Sequence, residues 1–361
     1  MKRLIAGAAA ALLAAVLILP APANALSAQK AILMDAATGR FLYEKNSESQ
    51  SLIASTTKIM TALVVCEQCN VLDRVRIPKE AVGIEGSSMY LQAGEVLTVQ
   101  ELLYGMMLHS GNDAATALAI YCGGTQEGFV QLMNDKARAL SMNNTCFGNP
   151  HGLDHPDNYS TASDMAILAA YAMNNPIFSK TVSTQQIRIG NRYLRNHNKL
   201  LWRVEGADGI KTGYTRAAGR ILVSSATRQG RRLIAVTISA PDDWNDHSAL
   251  LEKNFTKYCV DSLIKKGDCI GYLSVVGSDQ YQVPLLAAKD FSYAVAANEK
   301  VEVYQQNTSF VYAPVVAGQD AGNAYILIDR NVVGKVPVVY GQTLELILEE
   351  KKSFWERLFG E

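Results

Sequence analysis

The chain has 361 residues, and its 34 Lys and Arg balance 34 Asp and Glu, so its formal charge is zero. No basic stripe, Arg/Lys block or aromatic-basic interleaving occurs, which argues against nucleic acid as a partner. At 48% hydrophobic residues the chain can bury one large core and a smaller module besides.

Lys2 and Arg3, the apolar run Leu4 to Leu19 and the small residues Ala23-Asn24-Ala25 have the three-part form of a signal peptide. Residues 1–25 are therefore expected to be removed after Ala25. An uncleaved anchor is the alternative, because the run is close to spanning length. No Cys lies near the cleavage site, so a lipoprotein anchor is not expected. Export follows from this reading.

Ala31 to Asp35 and Arg40 to Glu44 are apolar runs joined by a Thr38-Gly39 turn, the pattern of an edge hairpin. Helical periodicity dominates from Lys58 to about Ala172, most clearly over Val99 to Tyr121 and Thr125 to Leu140. Strand patterns return at Ile187 to Ile189, Gly219 to Thr227 and Arg232 to Ala240. A Gln229-Gly230 turn joins the last two as an antiparallel hairpin. Strands from both ends of the segment with helices between them predict an α+β domain over 26–262. Beyond it, short β-rich runs such as Glu302 to Tyr304 and Tyr325 to Ile328 alternate with turn residues, which predicts a small all-β domain over 263–349. The tail 350–361 places Phe354, Trp355, Leu358 and Phe359 on one helical face. Too short to span a bilayer, it suits an amphipathic helix lying on a membrane surface.

Three short strings carry the chemistry: Ser55-Thr56-Thr57-Lys58, Ser110-Gly111-Asn112 and Lys211-Thr212-Gly213. They read as SxxK, SxN and KTG, the elements of a serine acyl-transfer site. Each alone is weak: Ser27 to Lys30 and Ser262 to Lys265 also fit SxxK, and Ser141 to Asn143 fits SxN. Context separates the set. Ser55 opens an apolar helical run, Ser110 closes another, and Lys211 begins a β-rich stretch.

A serine hydroxyl needs a base at neutral pH. Lys58, three residues on, is the candidate, provided burial and a second cation, Lys211, depress its pKa. Ser55 is expected at a helix N-terminus, where the dipole favours oxyanion charge. Ser110 would relay the proton to the leaving group, and Asn112 would hold the substrate backbone. Lys211 and Thr212 would meet a carboxylate, Gly213 would leave room along a strand edge, and the Ser55 and Tyr214 N–H groups would form an oxyanion hole.

His151-Gly152-Leu153-Asp154-His155 has His-x₃-His spacing but sits among Pro and Gly, so a turn is expected rather than a metal site. Neither a metal nor an organic cofactor is implied. The six Cys mostly have the placement of small buried hydrophobes; if disulfides form, Cys259–Cys269 or Cys66–Cys69 are the pairs expected.

Together with Ile53 to Leu63, Gly86 to Met89, Ser110 to Ala115, Asn149 to Leu153 and Asp208 to Thr215, these motifs resemble the low-molecular-mass penicillin-binding proteins that are D-alanyl-D-alanine carboxypeptidases of the S11 serine peptidase type. The resemblance runs from about Ala31 to the tail. It implies a penicillin-binding/β-lactamase-like catalytic domain, a C-terminal β domain and a membrane-associating tail. It also implies removal of the terminal D-alanine from peptidoglycan pentapeptide stems through a Ser55 acyl-enzyme, with β-lactams as covalent inhibitors. Some members carry Arg between two Asn to bind the substrate carboxylate; here the segment is Asn196-His197-Asn198, which makes His197 a candidate binding residue and shifts weight to Lys211 and Thr212.

A class A-like β-lactamase would need a Glu activating the deacylating water, in an ExxLN-type string. Between Asn112 and Lys211 only Glu127 and Glu205 occur, neither in such a string. A DD-endopeptidase acting on cross-linked wall and a non-catalytic wall-binding protein remain as alternatives.

Overall fold

The structure, a computed structural model, describes residues 26–306 and 309–347. The expected signal peptide and amphipathic tail lie outside the described residues. The chain divides into two compact units, Met1–Lys253 and Asn254–Glu361.

The first unit is built on a five-stranded antiparallel sheet. Its strands are β1 (Lys30–Asp35), β2 (Phe41–Lys45), β3 (Ala207–Thr215), β4 (Gly219–Arg228) and β5 (Arg231–Ile238), in the spatial order β2-β1-β5-β4-β3. As expected, the sheet draws on both ends of the segment. The Gln229-Gly230 turn between β4 and β5 has φ of 49° and 79°, the paired positive values of a type I′ hairpin turn. β1 is a continuous apolar run rather than an alternating one because both faces of the sheet are covered. On one face Ile32, Met34, Ile234 and Val236 join the main core. On the other, His247 reaches Ser224 Oγ at 2.6 Å and Thr237 Oγ1 at 2.9 Å. Burial pushes its pKa down to about 3, so the ring is a neutral link between two hydroxyls.

Among the described residues, seven α-helices belong to or leave this unit: α1 (Lys58–Gln68), α2 (Val99–Leu108), α3 (Asn112–Gly123), α4 (Gln126–Ala139), α5 (Ala162–Ala172), α6 (Pro176–Ser183) and α7 (Asp243–Lys257). α1 runs through the middle of the core, and its first eight residues are all buried. Their starts follow local chemistry. Thr98 and Glu101 form a capping box for α2, and Asn175 caps α6 with Pro176 in its first turn. The expected Val99 to Tyr121 helix is two helices, α2 and α3. It breaks at His109–Gly111, where Ser110 adopts φ of 63°.

Beyond α7, the described residues of the second unit are all-β, as expected. β6 (Tyr258–Ile264) pairs with β9 (Phe291–Ala296). β7 (Cys269–Val276), β8 (Gln282–Ala287), β10 (Val301–Gln306), β11 (Phe310–Tyr312), β12 (Asp320–Ile328) and β13 (Asn331–Tyr340) form a six-stranded sheet in the order β10-β12-β13-β8-β7-β11. The expected boundary at 262/263 falls inside β6, whose partner strand belongs wholly to the second unit; the division comes at Lys253/Asn254.

Candidate active site

Ser55 lies in a 3-10 turn, Ala54–Thr57, and α1 begins only at Lys58. This corrects the expectation that Ser55 opens the α-helix. In a 3-10 turn residues i and i+3 eclipse, and Ser55 Oγ sits 3.0 Å from Lys58 Nζ. Thr56 ties the turn down by donating its N–H and hydroxyl to the Ile53 carbonyl at 3.1 and 2.5 Å. Ala54 is held at φ of 45°, a conformation a non-glycine residue keeps only when its surroundings fix it.

Those surroundings are the Pro150-His151-Gly152 turn. Thr61 Oγ1 donates to the Pro150 carbonyl at 2.6 Å, and Asn158 Nδ2 to Thr57 Oγ1 at 3.2 Å. Gly152 has φ of 85°, and a Cβ there would come within 1.9 Å of the Ala54 carbonyl oxygen. The turn's close approach therefore requires glycine. It brings the His151 carbonyl to 2.5 Å from Lys58 Nζ.

Asn112 completes the lysine's surroundings. Its Nδ2 donates to the Glu85 carbonyl at 2.5 Å, which turns Oδ1 toward Lys58 Nζ at 2.7 Å. Next to it, buried Asp113 accepts the Met89 and Leu91 N–H groups and the Ser88 hydroxyl. It thereby fixes the Gly86 to Leu91 loop beside the site.

Lys58 has no exposed surface. Burial first, and then the charge of Lys211, hold its pKa well below the usual lysine range, while Asp113 opposes them. Two of its three neighbours, the Asn112 and His151 carbonyl oxygens, can only accept hydrogen bonds. A neutral amine has two N–H groups to give them. Its lone pair is then left facing Ser55 Oγ, as a base requires.

Lys211, Thr212, Gly213 and Tyr214 lie on β3, the edge strand of the sheet. A Cβ on Gly213 would stand 3.3 Å from the Ser55 nitrogen, so strand and nucleophile turn are in near contact. The strand is anchored from behind: Asn198 Nδ2 donates to the Gly209 carbonyl at 2.7 Å, and Asp208 accepts the Thr227 hydroxyl at 2.7 Å. Lys211 is 1% exposed, its Nζ donates to the Thr212 carbonyl at 2.9 Å, and burial brings its pKa down to about 7.

A cleft of about 330 Å³ opens over Ser55 and is walled by Ser110, His197, Thr212, Gly213 and Tyr214. Lys58, Asn112 and Lys211 are buried; Lys58 contacts Ser55 and Asn112 and feels the charge of Lys211. The residues of the three motifs and His197 are thus brought to one place. His197 is exposed on one side, donates its N–H to the Leu108 carbonyl at 3.1 Å, and packs its ring 5.1 Å from that of His109. Partial burial, then Lys211 and His109, lower its pKa to about 4, so it offers a hydrogen bond at neutral pH rather than a charge.

Sequence reasoning missed the far wall, which is Arg220, Asp243 and Trp244. Arg220 stands opposite Tyr214 in the β3–β4 register, binds Asp243 Oδ1 at 2.6 Å and lies 5.7 Å over the Trp244 ring. Its Nε is buried without a partner among the described residues. The β-hairpin spacing placed Arg220 on a strand, but nothing in the sequence showed that α7 would cross to meet it. The His151 carbonyl was also missed, since a motif of side chains does not register a backbone oxygen.

His151 and His155 do not converge: each ring accepts a nearby backbone N–H through Nδ1, from Leu153 and Asp157 respectively. No cluster of three or more metal-binding side chains occurs among the described residues. All six thiols are free. Cys259 and Cys269 are exposed rather than buried, and Cys69 at the end of α1 meets Cys122 of α3 instead of bonding Cys66. That contact lowers the Cys69 pKa and raises that of Cys122, while burial pushes Cys66 up to about 12.

A serine hydroxyl against a buried lysine amine, beside a KTG edge strand in an α+β domain, defines an active-site-serine acyl-transfer enzyme. A family model described as D-alanyl-D-alanine carboxypeptidase, Peptidase S11, matches residues 18–242, and one described as penicillin-binding protein 5, C-terminal domain, matches 258–346. The chain belongs to the S11 D-alanyl-D-alanine carboxypeptidase family. It is 33% identical over 327 residues to D-alanyl-D-alanine carboxypeptidase DacF of Bacillus subtilis, covering 86% of this chain and 84% of that one. To DacC of Escherichia coli it is 32% identical, covering 90% and 86%. Among solved structures, penicillin binding protein 5 of Haemophilus influenzae superposes with a TM-score of 0.77 at 29% identity, covering 90% of this chain and 99% of that one. A mutant of the Streptomyces K15 DD-transpeptidase gives 0.62 at 33%, covering 64% and 99%.

Proposed function

We propose that the protein is a serine D-alanyl-D-alanine carboxypeptidase of cell-wall synthesis, with Ser55 as nucleophile and Lys58 as its base. The observation that carries this is the Lys58 environment: fully buried, beside Lys211, with two obligate acceptors consuming the N–H groups of a neutral amine. Family membership supplies the substrate class, the pentapeptide stem of peptidoglycan.

Lys58 takes the Ser55 proton as Oγ attacks the carbonyl carbon of the penultimate D-alanine. The oxyanion forms against the Ser55 and Tyr214 N–H groups. As the tetrahedral carbon collapses, the peptide C–N bond breaks and Ser110 relays the proton from Lys58 to the departing amine. D-Alanine leaves and the acyl group stays on Ser55. Water then attacks the ester, gives its proton to Lys58, and Ser55 recovers its hydroxyl as the shortened stem departs. Asn112 and the Gly213 edge orient the peptide. Lys211 and the Thr212 hydroxyl hold the terminal carboxylate, with neutral His197 adding a hydrogen bond. A β-lactam enters by the same attack, and the acyl-enzyme it leaves blocks the serine.

The leader-like residues 1–25 and the apolar residues Phe354, Trp355, Leu358 and Phe359 support export and attachment to the outer face of the cytoplasmic membrane. Incubation with diacetyl-Lys-D-Ala-D-Ala, with free D-alanine as readout, tests the activity. Release that disappears in Ser55→Ala is expected; no release from a folded protein that a fluorescent penicillin labels would overturn the substrate assignment.

A further inference from the structure

Behind the catalytic cleft, on the other side of His197, lies a second groove of about 590 Å³. It is formed by the hairpin of Gln186–Ile189 and Arg192–Arg195 together with the 3-10 turn Lys199–Trp202. Strand alternation sends Leu194 into the core and turns Tyr193 and Arg195 outward. Arg195 lies 5.0 Å over the Trp202 ring, and Lys199 and Arg203 add two more cations.

The cations converge on one groove with no carboxylate among them. Arg195, Lys199 and Arg203 make no ion pair with any carboxylate among the described residues, and no carboxylate lines the groove. Arg192 of the same strand behaves differently, binding both oxygens of Glu95 at 2.6 and 2.9 Å. Its role is to hold the hairpin in place. Three like charges around an aromatic wall repel one another until an anion enters, and the groove's shape shields such an anion from part of the solvent.

We propose that this groove is a leaving-side subsite for an anionic group carried by the residue that is released, so that the enzyme accepts C-terminal D-residues with carboxylate-bearing side chains. The inference rests on the carboxypeptidase reading, in which Lys211, Thr212 and His197 hold the terminal carboxylate. His197 lines both cavities. A terminal residue whose α-carboxylate meets His197 is thereby next to the groove. The methyl group of D-alanine carries no charge for the groove to bind. Arg195, Lys199 and Arg203 would receive a carboxylate on a longer side chain.

The test uses the full chain and diacetyl-Lys-D-Ala-D-Xaa peptides with D-Ala, D-Glu, its neutral isostere D-Gln, or D-Lys at the end, and reads kcat/KM for release of the last residue. D-Glu is expected to exceed D-Gln by about fivefold and D-Lys by more, the margin shrinking with added salt. In the triple variant Arg195→Gln, Lys199→Gln, Arg203→Gln the D-Glu to D-Gln ratio falls to about one while D-Ala release is unchanged. The single variant Lys199→Gln, at an exposed position, lowers the ratio part of the way. A ratio of one in the wild type, or one that the triple variant leaves intact, overturns the subsite. Loss of D-Ala release from the parent peptide would instead overturn the carboxypeptidase reading, and the subsite with it.

Discussion

Asn112→Asp changes one atom of the amide and tests the state of Lys58 directly. It places a carboxylate 2.7 Å from a buried amine that must be neutral to act. At that separation a unit charge pair interacts by about 6 kcal/mol at an effective dielectric of about 20. Desolvation of the new carboxylate and its clash with the Glu85 carbonyl, which loses its Asn112 donor, offset roughly half. About 3 kcal/mol then remains in favour of the ammonium, or roughly two pKa units. The assay is the second-order rate of acylation by a fluorescent penicillin from pH 5 to 10. Acylation depends on neutral Lys58, so the acid limb of the profile moves up by about two units, the variant is slowed up to about a hundredfold on that limb, and the two enzymes approach one another at high pH. Asn112→Ala serves as control, removing the same hydrogen bonds without adding charge. A uniform loss at every pH, with the limb where it was, would refute the reasoning and leave Asn112 a purely geometric role.

Ser55→Ala is expected to lose penicillin labelling and D-alanine release while its melting temperature stays within a few degrees of wild type; residual labelling would assign acylation to another residue. Gly152→Ala drives a Cβ to 1.9 Å from the Ala54 oxygen at φ of 85°, so a loss of at least about 2 kcal/mol in urea unfolding is expected, together with loss of acylation as the His151 carbonyl moves. His247 carries a folded pKa of about 3 against about 6.5 in the unfolded chain, so its contribution is intact above pH 6.5 and erodes as pH falls toward 3. Between pH 7 and 5 wild type should lose about 2 kcal/mol more stability than His247→Gln; equal losses would show the ring is not buried neutral. Because burial holds Lys211 near pH 7, its charge is lost as pH rises through that value, and KM for the D-Ala-D-Ala peptide should climb above it. His197, already neutral there, should on replacement by Ala raise KM about equally at pH 6 and pH 8, and an unchanged KM would remove it from carboxylate binding.

The sheet was legible because its strands carry local signatures. β1 is an unbroken apolar run, and the Gln229-Gly230 turn dictates the β4–β5 pairing without help from elsewhere. The helical region was legible as composition and period, but its breaks were not. Ser110 closes α2 in the left-handed region with no glycine at its own position, and Ser55 sits in a 3-10 turn that the apolar run after it made look like the start of an α-helix. The departure at Ser55 is tertiary: its turn is held by partners 89 and 101 residues along the chain. The domain boundary was missed for a similar reason, since β6 joins the second unit through a strand some thirty residues downstream.

The candidate site divides along the same line. Side chains that act through their own chemistry, Ser55, Lys58, Asn112 and Lys211, stand in short strings, and the fold gathers them. What tunes them is not in those strings. The second acceptor that leaves the Lys58 lone pair free for Ser55 is the backbone oxygen of His151, delivered by a turn that the sequence shows as a turn but not as a partner of Lys58. The acceptor face of Asn112 is chosen by another backbone oxygen, that of Glu85. A chain could keep all three motifs and still hold Lys58 as an ammonium if either carbonyl were turned away and a carboxylate took its place. Catalytic competence therefore rests on two loops, Gly86 to Leu91 and Pro150 to Gly152, as much as on the motifs. Asp113 and Gly152, which fix those loops, are the positions where a substitution would disable the enzyme with its nucleophile and base both present.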